Sequence, residues 1–148
     1  MITKTSSARW VAWGVAAALM GPAFAGDPSG TWLTEGGKSQ VRLSRCGGAL
    51  CGRILWLKEP SDPETGKPKR DRRNADPGKR DRPLIGLDIL LGMRPGETPD
   101  QWVGEVYNPE DGKTYQASVS LQDARTLQLK GCVLGGLICK SQAWSRMN

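Results

Sequence analysis

The 148-residue sequence contains no histidine, one phenylalanine and only four cysteines. Without histidine, the Ser-His and Cys-His pairs that activate many nucleophiles are unavailable. Zinc sites lose one of their main donors, and the cysteine spacings are not of the Cys-x-x-Cys type. Glu105, Glu110 and Asp111 could form a carboxylate pair, although acids in a turn usually stabilise the turn itself. We therefore expect no catalytic residues, no metal and no cofactor, and we do not expect an enzyme.

Long apolar runs are also scarce. The one near the start, Trp10–Met20, has about a dozen residues, whereas a membrane-spanning helix needs about twenty. It follows two basic residues and precedes Ala23-Phe24-Ala25, which matches the small-x-small pattern of a signal-peptidase site. A transmembrane anchor is the alternative. The sequence predicts that residues 1–25 are a cleaved signal peptide and that 26–148 are exported, to the periplasm or beyond, as one soluble domain that is not an integral membrane protein.

The four cysteines all lie in the predicted exported domain. An even number of cysteines in an exported chain indicates disulfides. We favour Cys46–Cys51 and Cys132–Cys139, because each pair brackets a glycine-rich turn that brings its ends together, although the two other connectivities stay open. The chain-entropy model gives such short loops about 2 kcal/mol each, so we expect local clips rather than main supports.

The positive charge is unevenly distributed. The chain has a net charge of +6, and much of the excess lies in residues 58–82, which contain four prolines and hardly any apolar side chain. A structureless segment of this length in a compact domain is usually functional or disordered. We expect a long basic loop that is either a solvated excursion or an arm attracting an anionic partner. The candidate contacts are Lys67, Lys69, Arg70, Arg72 and Arg73. Nucleic acid is not an expected partner, because acids are interleaved and the chain is predicted to be exported.

Alternation of apolar and polar residues predicts about seven or eight strands. The clearest are the hairpins Val41–Trp56 and Gln101–Gln122, the second turning through Pro109 to Gly112. Further strands are expected at Gly30–Thr34, Thr126–Lys130 and Leu137–Arg146. Leu84–Leu91 fits a helix or a strand equally well, and Met93–Asp100 is expected to be a loop. Sequential hairpins favour an all-β, antiparallel up-and-down barrel over a Greek-key sandwich.

Several short motifs occur in order along the chain: Gly30-Thr31-Trp32, Cys46 with Leu50-Cys51-Gly52-Arg53-Ile54 and Trp56, Thr65-Gly66-Lys67 with Asp71 and Asn74, Arg82-Pro83-Leu84 with Gly86-Leu87, Tyr107-Asn108-Pro109-Glu110-Asp111-Gly112-Lys113-Thr114-Tyr115, Gly131-Cys132 and Trp144-Ser145-Arg146. Through these motifs the chain resembles the domain of unknown function 2147 family of small exported bacterial proteins. The resemblance implies a lipocalin-like barrel and export, but no settled activity.

A second resemblance agrees with the first. The Gly30-x-Trp32 pattern on the first strand and Arg146 on the last are similar to a feature of calycin barrels, in which the tryptophan plugs one end and the arginine packs over its ring. This implies a cation–π contact between Trp32 and Arg146, worth about 0.5–2 kcal/mol. The alternative is an ordinary core tryptophan and a surface arginine.

The preferred function is non-catalytic binding of a small hydrophobic or amphipathic molecule, because a small barrel can hold one ligand. The candidate lining residues are aromatic: Trp56, Trp102, Tyr107 and Tyr115. These side chains could equally fill the core. Asp71 and Asn74 are expected to stabilise a turn or hold the backbone. The alternative function is a cell-envelope interaction module that binds anionic lipid head groups or a protein through residues 58–82.

Overall fold

The computed structural model describes residues 13–16 and 26–147. The predicted signal peptide, residues 1–25, lies outside the described residues except for 13–16 and stays a prediction. None of the short helical segments in the described ranges is long or apolar enough to cross a membrane.

Eight antiparallel strands, each paired with the next along the chain, form a closed barrel. The strands are β1 (Gly30–Leu33), β2 (Ser39–Cys46), β3 (Ala49–Leu57), β4 (Asp88–Pro95), β5 (Gln101–Asn108), β6 (Lys113–Asp123), β7 (Thr126–Val133) and β8 (Ile138–Arg146). The predicted all-β up-and-down barrel is therefore confirmed. Pairing of β8 with β1 closes it, through Trp32 opposite Arg146 and Leu33 opposite Ser145.

The alternating pattern of β6 illustrates why these residues form strands. Ala117 and Val119 are buried, whereas Gln116 is exposed, because neighbouring side chains of a strand point to opposite faces. Residues directly opposite each other on paired strands share a face. Trp102 lies opposite Val119 in the unbroken β5–β6 ladder, so both point into the barrel.

The expectation of a loop at Met93–Asp100 was wrong at its start. β4 continues to Pro95, and Met93 is fully buried inside the barrel. The register of the β4–β5 ladder shifts between Leu91 and Arg94. Such an irregularity breaks the strict two-residue period, so the strand does not show as an alternating pattern in the sequence. The ambiguous segment Leu84–Leu91 begins in a turn, and its second half, from Asp88, is the start of strand β4.

Both favoured disulfides are present, and all four cysteines are paired. Cys46–Cys51 clips the β2–β3 hairpin close to its turn. Cys132 and Cys139 lie directly opposite each other in the β7–β8 ladder. Both bonds are therefore local to one hairpin.

One end of the barrel, called here the closed end, carries the β2–β3, β4–β5 and β6–β7 turns. Residues 26–29 cross it, with the backbone N–H of Gly26 donating to Asp100 at 3.0 Å. Under this segment Trp32 is fully buried, and its indole N–H donates to the carbonyl of Pro28 at 2.9 Å. Inward side chains such as Trp144 and Leu127 fill the space beneath. The closed end is thus filled by the chain itself.

Arg146 holds the closed end together. Its guanidinium donates to the backbone carbonyls of Asp27, Ser29 and Ala124 at 2.7–2.8 Å. Its central carbon lies 4.3 Å from the ring centroid of Trp32, so the structure contains the contact that the calycin resemblance implies. Gly30 has a φ of +133°, and a Cβ there would lie 2.9 Å from this guanidinium. The position therefore favours glycine on two counts.

The opposite end, called here the loop end, carries the turns at 34–38 and 109–112, the β7–β8 turn and the long β3–β4 connection. Lys140 and Gln142 lie opposite Gly131 and the buried Leu129, so they point toward the barrel interior, yet both are exposed. Solvent therefore reaches the inner face at this end.

Replacing Arg146 with methionine should lower the free energy of unfolding by about 3 kcal/mol, because three carbonyls lose a charged donor and Trp32 loses its cation. Urea unfolding of both proteins measures the difference. Arg125→Met, a similar change at an exposed neighbouring arginine, should cost less than about 0.5 kcal/mol. Equal losses in the two variants would show that Arg146 does not hold the closed end.

Candidate functional site

The β3–β4 connection packs against the outer face of the barrel. Tyr107 lies opposite Thr114 in the β5–β6 ladder, one residue after the Val106–Tyr115 pair, which faces inward with Trp102. Tyr107 therefore points outward. It is nevertheless only 6% exposed, because residues of the connection cover it.

A cluster of buried polar side chains makes this contact. Asp71 is fully buried and accepts from the Tyr107 hydroxyl at 2.5 Å. Its other oxygen accepts from the amide of Asn74 at 2.9 Å and from Nε of Arg82 at 2.8 Å. The Asn74 amide also contacts the Tyr107 hydroxyl at 3.1 Å. The Arg82 guanidinium lies 5.6 Å from the Tyr107 ring centroid. One carboxylate thus ties two distant parts of the connection to β5.

The surroundings keep Asp71 ionised. Burial by itself would raise the pKa of this carboxyl, but the hydrogen bonds from Tyr107, Asn74 and Arg82 and the charge of Arg82 outweigh it. The pKa of Asp71 is therefore below its ordinary value. The pKa of Tyr107 is raised, first by burial and then by its bond to the Asp71 carboxylate. The pair consists of a carboxylate and a neutral phenol.

A second contact fixes the connection to the β5–β6 turn. The Arg73 guanidinium donates to the carbonyl of Glu110 at 2.7 Å. Gly112 has a φ of +71°, and a Cβ there would overlap the Arg73 carbonyl oxygen. The glycine that closes the predicted hairpin turn therefore also lets the connection approach the barrel.

Within the connection, most of the basic candidates have partners. Lys69 pairs with Glu59 and Arg70 with Asp81, both at 3.8 Å, and Arg72 with Asp62 at 3.1 Å. Lys67 lines a shallow cleft of about 210 Å³. Two isolated β-bridges, Ser61 with Pro68 and Arg70 with Pro83, add backbone order. Much of the segment's charge is balanced by its own acids.

A groove of about 640 Å³ lies between the connection and the outer face of β4, β5 and β6. Its apolar lining includes Leu87, Leu91 and the ring of Tyr107. Lys79 and Arg82 supply positive charge. The remaining lining residues are Asn74, Ala75, Asp76, Gly86, Asp88, Gly112 and Thr114. The arrangement combines an apolar floor with a charged rim.

The four aromatic candidates do not line one common pocket. Trp102 is buried in the core, and Tyr115 faces the interior near the loop end, where its hydroxyl donates to Asp111. Trp56 lies opposite Gln40 and is 41% exposed. Only Tyr107 reaches the groove. Which of these side chains contacts a ligand stays a prediction.

Sequence reasoning did not connect Arg82, Leu87 or Leu91 with a site. Leu87 and Leu91 belong to an apolar run that looks like ordinary core, and only the packing of the connection makes them a groove floor. Arg82 belongs to one of the family motifs, but its place in a run of charges gives no sign of its partners Asp71 and Tyr107. All buried side-chain nitrogen and oxygen atoms of the described residues have a hydrogen-bond partner. The polar cluster around Asp71 therefore has no unpaired group left for a ligand and serves as an anchor.

Within residues 13–16 and 26–147, no group of three or more acidic or cysteine side chains is arranged to hold a metal.

The fold defines the class of protein as a lipocalin-like β-barrel. One similar solved structure is protein HP1028 from the human pathogen Helicobacter pylori, described as belonging to the lipocalin family. The two structures superpose with a TM-score of 0.69 over 83% of this chain and 84% of the other, and their sequences are 24% identical. At this identity the comparison shows a similarity of fold. The chain belongs to the family described as uncharacterized protein conserved in bacteria (DUF2147), whose model matches residues 30–146. The family resemblance in the motifs is thus confirmed. A comparison with curated proteins found no match.

Replacing Asp71 with asparagine should lower the free energy of unfolding at pH 7 by about 2–4 kcal/mol, because Arg82 and Tyr107 lose a buried charged acceptor. The pKa of Asp71 is lower in the folded than in the unfolded protein, so its contribution is present above an unfolded value of about 3.9 and is lost as the pH falls through the folded pKa. The difference between wild type and D71N should therefore shrink below about pH 4.

Urea unfolding at neutral and acidic pH measures both effects. Asp81→Asn is the matched control in the same connection, because Asp81 is 95% exposed and pairs with Arg70 at 3.8 Å. It should change stability by less than about 0.5 kcal/mol. A D71N penalty that stays constant down to acidic pH would contradict the ionised, hydrogen-bonded state of Asp71.

Proposed function

We propose that this protein binds a small amphipathic molecule, without catalysis, in the groove between the β3–β4 connection and the barrel. The observation that carries the proposal is the size and lining of this groove. Its volume of about 640 Å³ falls within the range of about 300–1,000 Å³ that is typical of small-molecule sites.

The charges of the groove favour an anionic head group. Asp88 pairs with Arg53 at 2.8 Å, and Asp76 accepts from the backbone N–H of Gly78, so both acids are already engaged. Lys79 forms no ion pair within residues 26–147. Its ammonium and the remaining N–H groups of Arg82 are suited to a carboxylate, sulfate or phosphate. The apolar part of the ligand would lie on Leu91 and the Tyr107 ring.

We further propose that the protein works in the periplasm or outside the cell. Two disulfides support an oxidising compartment. The apolar leader and small-x-small motif point the same way. The alternative role of residues 58–82 in binding anionic lipid or protein is less favoured, because Lys69, Arg70 and Arg72 are already paired with acids.

The solvent-accessible inner face at the loop end is a second location for the same function. There Lys140 could meet an anionic head group beside Tyr115. Variants of the two locations distinguish them, because Thr114 is on the outer face and Lys140 on the inner face of the barrel.

Native mass spectrometry of the protein purified from its own periplasm should find a reproducible bound small molecule. Binding of the fluorescent anionic amphipath anilinonaphthalene sulfonate gives a second readout. Thr114→Trp, which fills the groove, and Lys79→Glu, which reverses its charge, should each weaken binding by about tenfold. The free energy of unfolding should change little, because both side chains are exposed.

Lys140→Glu is the matched charge reversal on the inner face and should leave binding unchanged. If Lys140→Glu abolishes binding while Thr114→Trp does not, the ligand occupies the barrel interior and the groove assignment is wrong. A bare mass together with no probe binding would reject the binding function itself.

A further inference from the structure

The β7–β8 turn ends in an exposed cluster of aliphatic side chains. Val133, Leu134, Leu137 and Ile138 are 39%, 69%, 84% and 57% exposed, and we call these residues with the two glycines between them the apolar tip. Isolated exposed apolar residues are ordinary on protein surfaces, but four in one six-residue turn form a patch that indicates an interaction site.

The conformation of the apolar tip is not what turn formation alone would select. Leu134 has a φ of +54°, the only positive φ of a non-glycine residue in the described part of the chain. Asparagine or glycine adopts this conformation at lower cost than leucine. The Cys132–Cys139 disulfide closes the base of the turn. Leucine at this position is exposed and requires an unfavourable backbone conformation, so it does not stabilise the fold. This indicates that its side chain contacts another molecule.

The charges around the apolar tip are positive. Lys130 and Lys140 flank it and are exposed. The sequence contains no aspartate or glutamate from residue 126 to its end. Acids of the neighbouring turns at the loop end are Glu35, whose carboxylate accepts from the backbone N–H of Ala143 in β8 at 3.5 Å, and the pair Glu110 and Asp111, of which Asp111 accepts from the Tyr115 hydroxyl and the N–H of Lys113. An anionic partner surface complements this arrangement.

We propose that the apolar tip inserts into the surface of an anionic phospholipid bilayer. The tip is a turn projecting beyond paired strands, a shape that suits entry between head groups better than packing in a protein groove. Lys130, which lies opposite Ser141 and points outward at the base of the tip, would lie at the level of the lipid phosphates. Insertion is shallow, about 5–10 Å, because the backbone polar groups at Gly135 and Gly136 must stay hydrated.

Insertion would turn the loop end of the barrel toward the membrane. The β3–β4 connection and the exposed inner face at Lys140 belong to this same end. An amphipathic molecule leaving the bilayer would therefore meet the loop end first. The membrane contact itself does not depend on the proposed ligand function and is tested separately.

The test measures co-sedimentation of the purified protein, expressed from the whole sequence, with two kinds of vesicle. One kind contains phosphatidylcholine only, and the other contains phosphatidylcholine mixed with phosphatidylglycerol. Mass spectrometry first establishes that wild type and variants have the same N-terminus, so that any difference reports the tip. Wild type should bind the mixed vesicles and release them as salt is raised. The double variant Leu134→Asn, Leu137→Ser should lower the partition coefficient by about tenfold or more.

Leu55→Ser with Val103→Thr is the matched control. Leu55 and Val103 are 42% and 45% exposed and lie on other strands, so this pair removes exposed apolar surface away from the tip, although less of it than the tip variant does. Its partitioning should equal that of wild type. Near-ultraviolet circular dichroism checks that each variant is folded; asparagine at 134 is compatible with the positive φ.

Two results would overturn the proposal. If wild type binds neither kind of vesicle, the tip does not insert into membranes, and its exposed apolar side chains would then have to serve a contact with a protein. Retained binding by the tip variant, with loss of binding when Arg70, Arg72 and Arg73 are all changed to glutamine, would assign the membrane contact to the β3–β4 connection. Neither result would affect the groove, because the groove is tested with a small probe and other variants.

Discussion

The buried carboxylate of Asp71 is the interaction on which the loop end depends. A charge removed from water is costly unless hydrogen bonds and an opposite charge compensate it, and here Tyr107, Asn74 and Arg82 do so. The compensation requires that the β3–β4 connection lie against the outer face of β5. Apart from Leu84 and Leu87, which pack on the core, the connection has hardly any apolar side chain to hold it on the barrel. The groove exists because this polar anchor holds the connection over Leu91.

The two ends of the barrel differ in construction. At the closed end, Arg146 joins the start, the last strand and the β6–β7 turn, and Trp32 fills the space beneath. That end contributes stability and is packed with buried side chains such as Trp32, Trp144 and Leu127. The loop end carries the groove, the accessible inner face and the apolar tip. Both proposed contact sites thus lie at one end of the barrel, as in other folds in which a rigid scaffold positions functional loops.

Much of the fold could be predicted because its signals are local. Alternation in β6, the Pro109 to Gly112 turn and the paired cysteines each depend on residues close in sequence. The end of β4 was missed because a register shift between Leu91 and Arg94 breaks the period. The candidate site was harder. Asp71 and Asn74 stood out through the family motif, but their partner Tyr107 lies more than thirty residues away, at separations of 36 and 33. No local pattern could connect them.

The sequence by itself determined the all-β class and the sequential hairpins, and it favoured the local disulfide clips, because strand alternation and turn chemistry are properties of short segments. Only the tertiary structure decided what covers each aromatic side chain. Tyr107 and Tyr115 are similar residues on one predicted hairpin, yet the ladder register places one outside and the other inside the barrel. Closure of the sheet and the position of the β3–β4 connection decide what covers them. These are long-range constraints, and they therefore also determine where the groove lies.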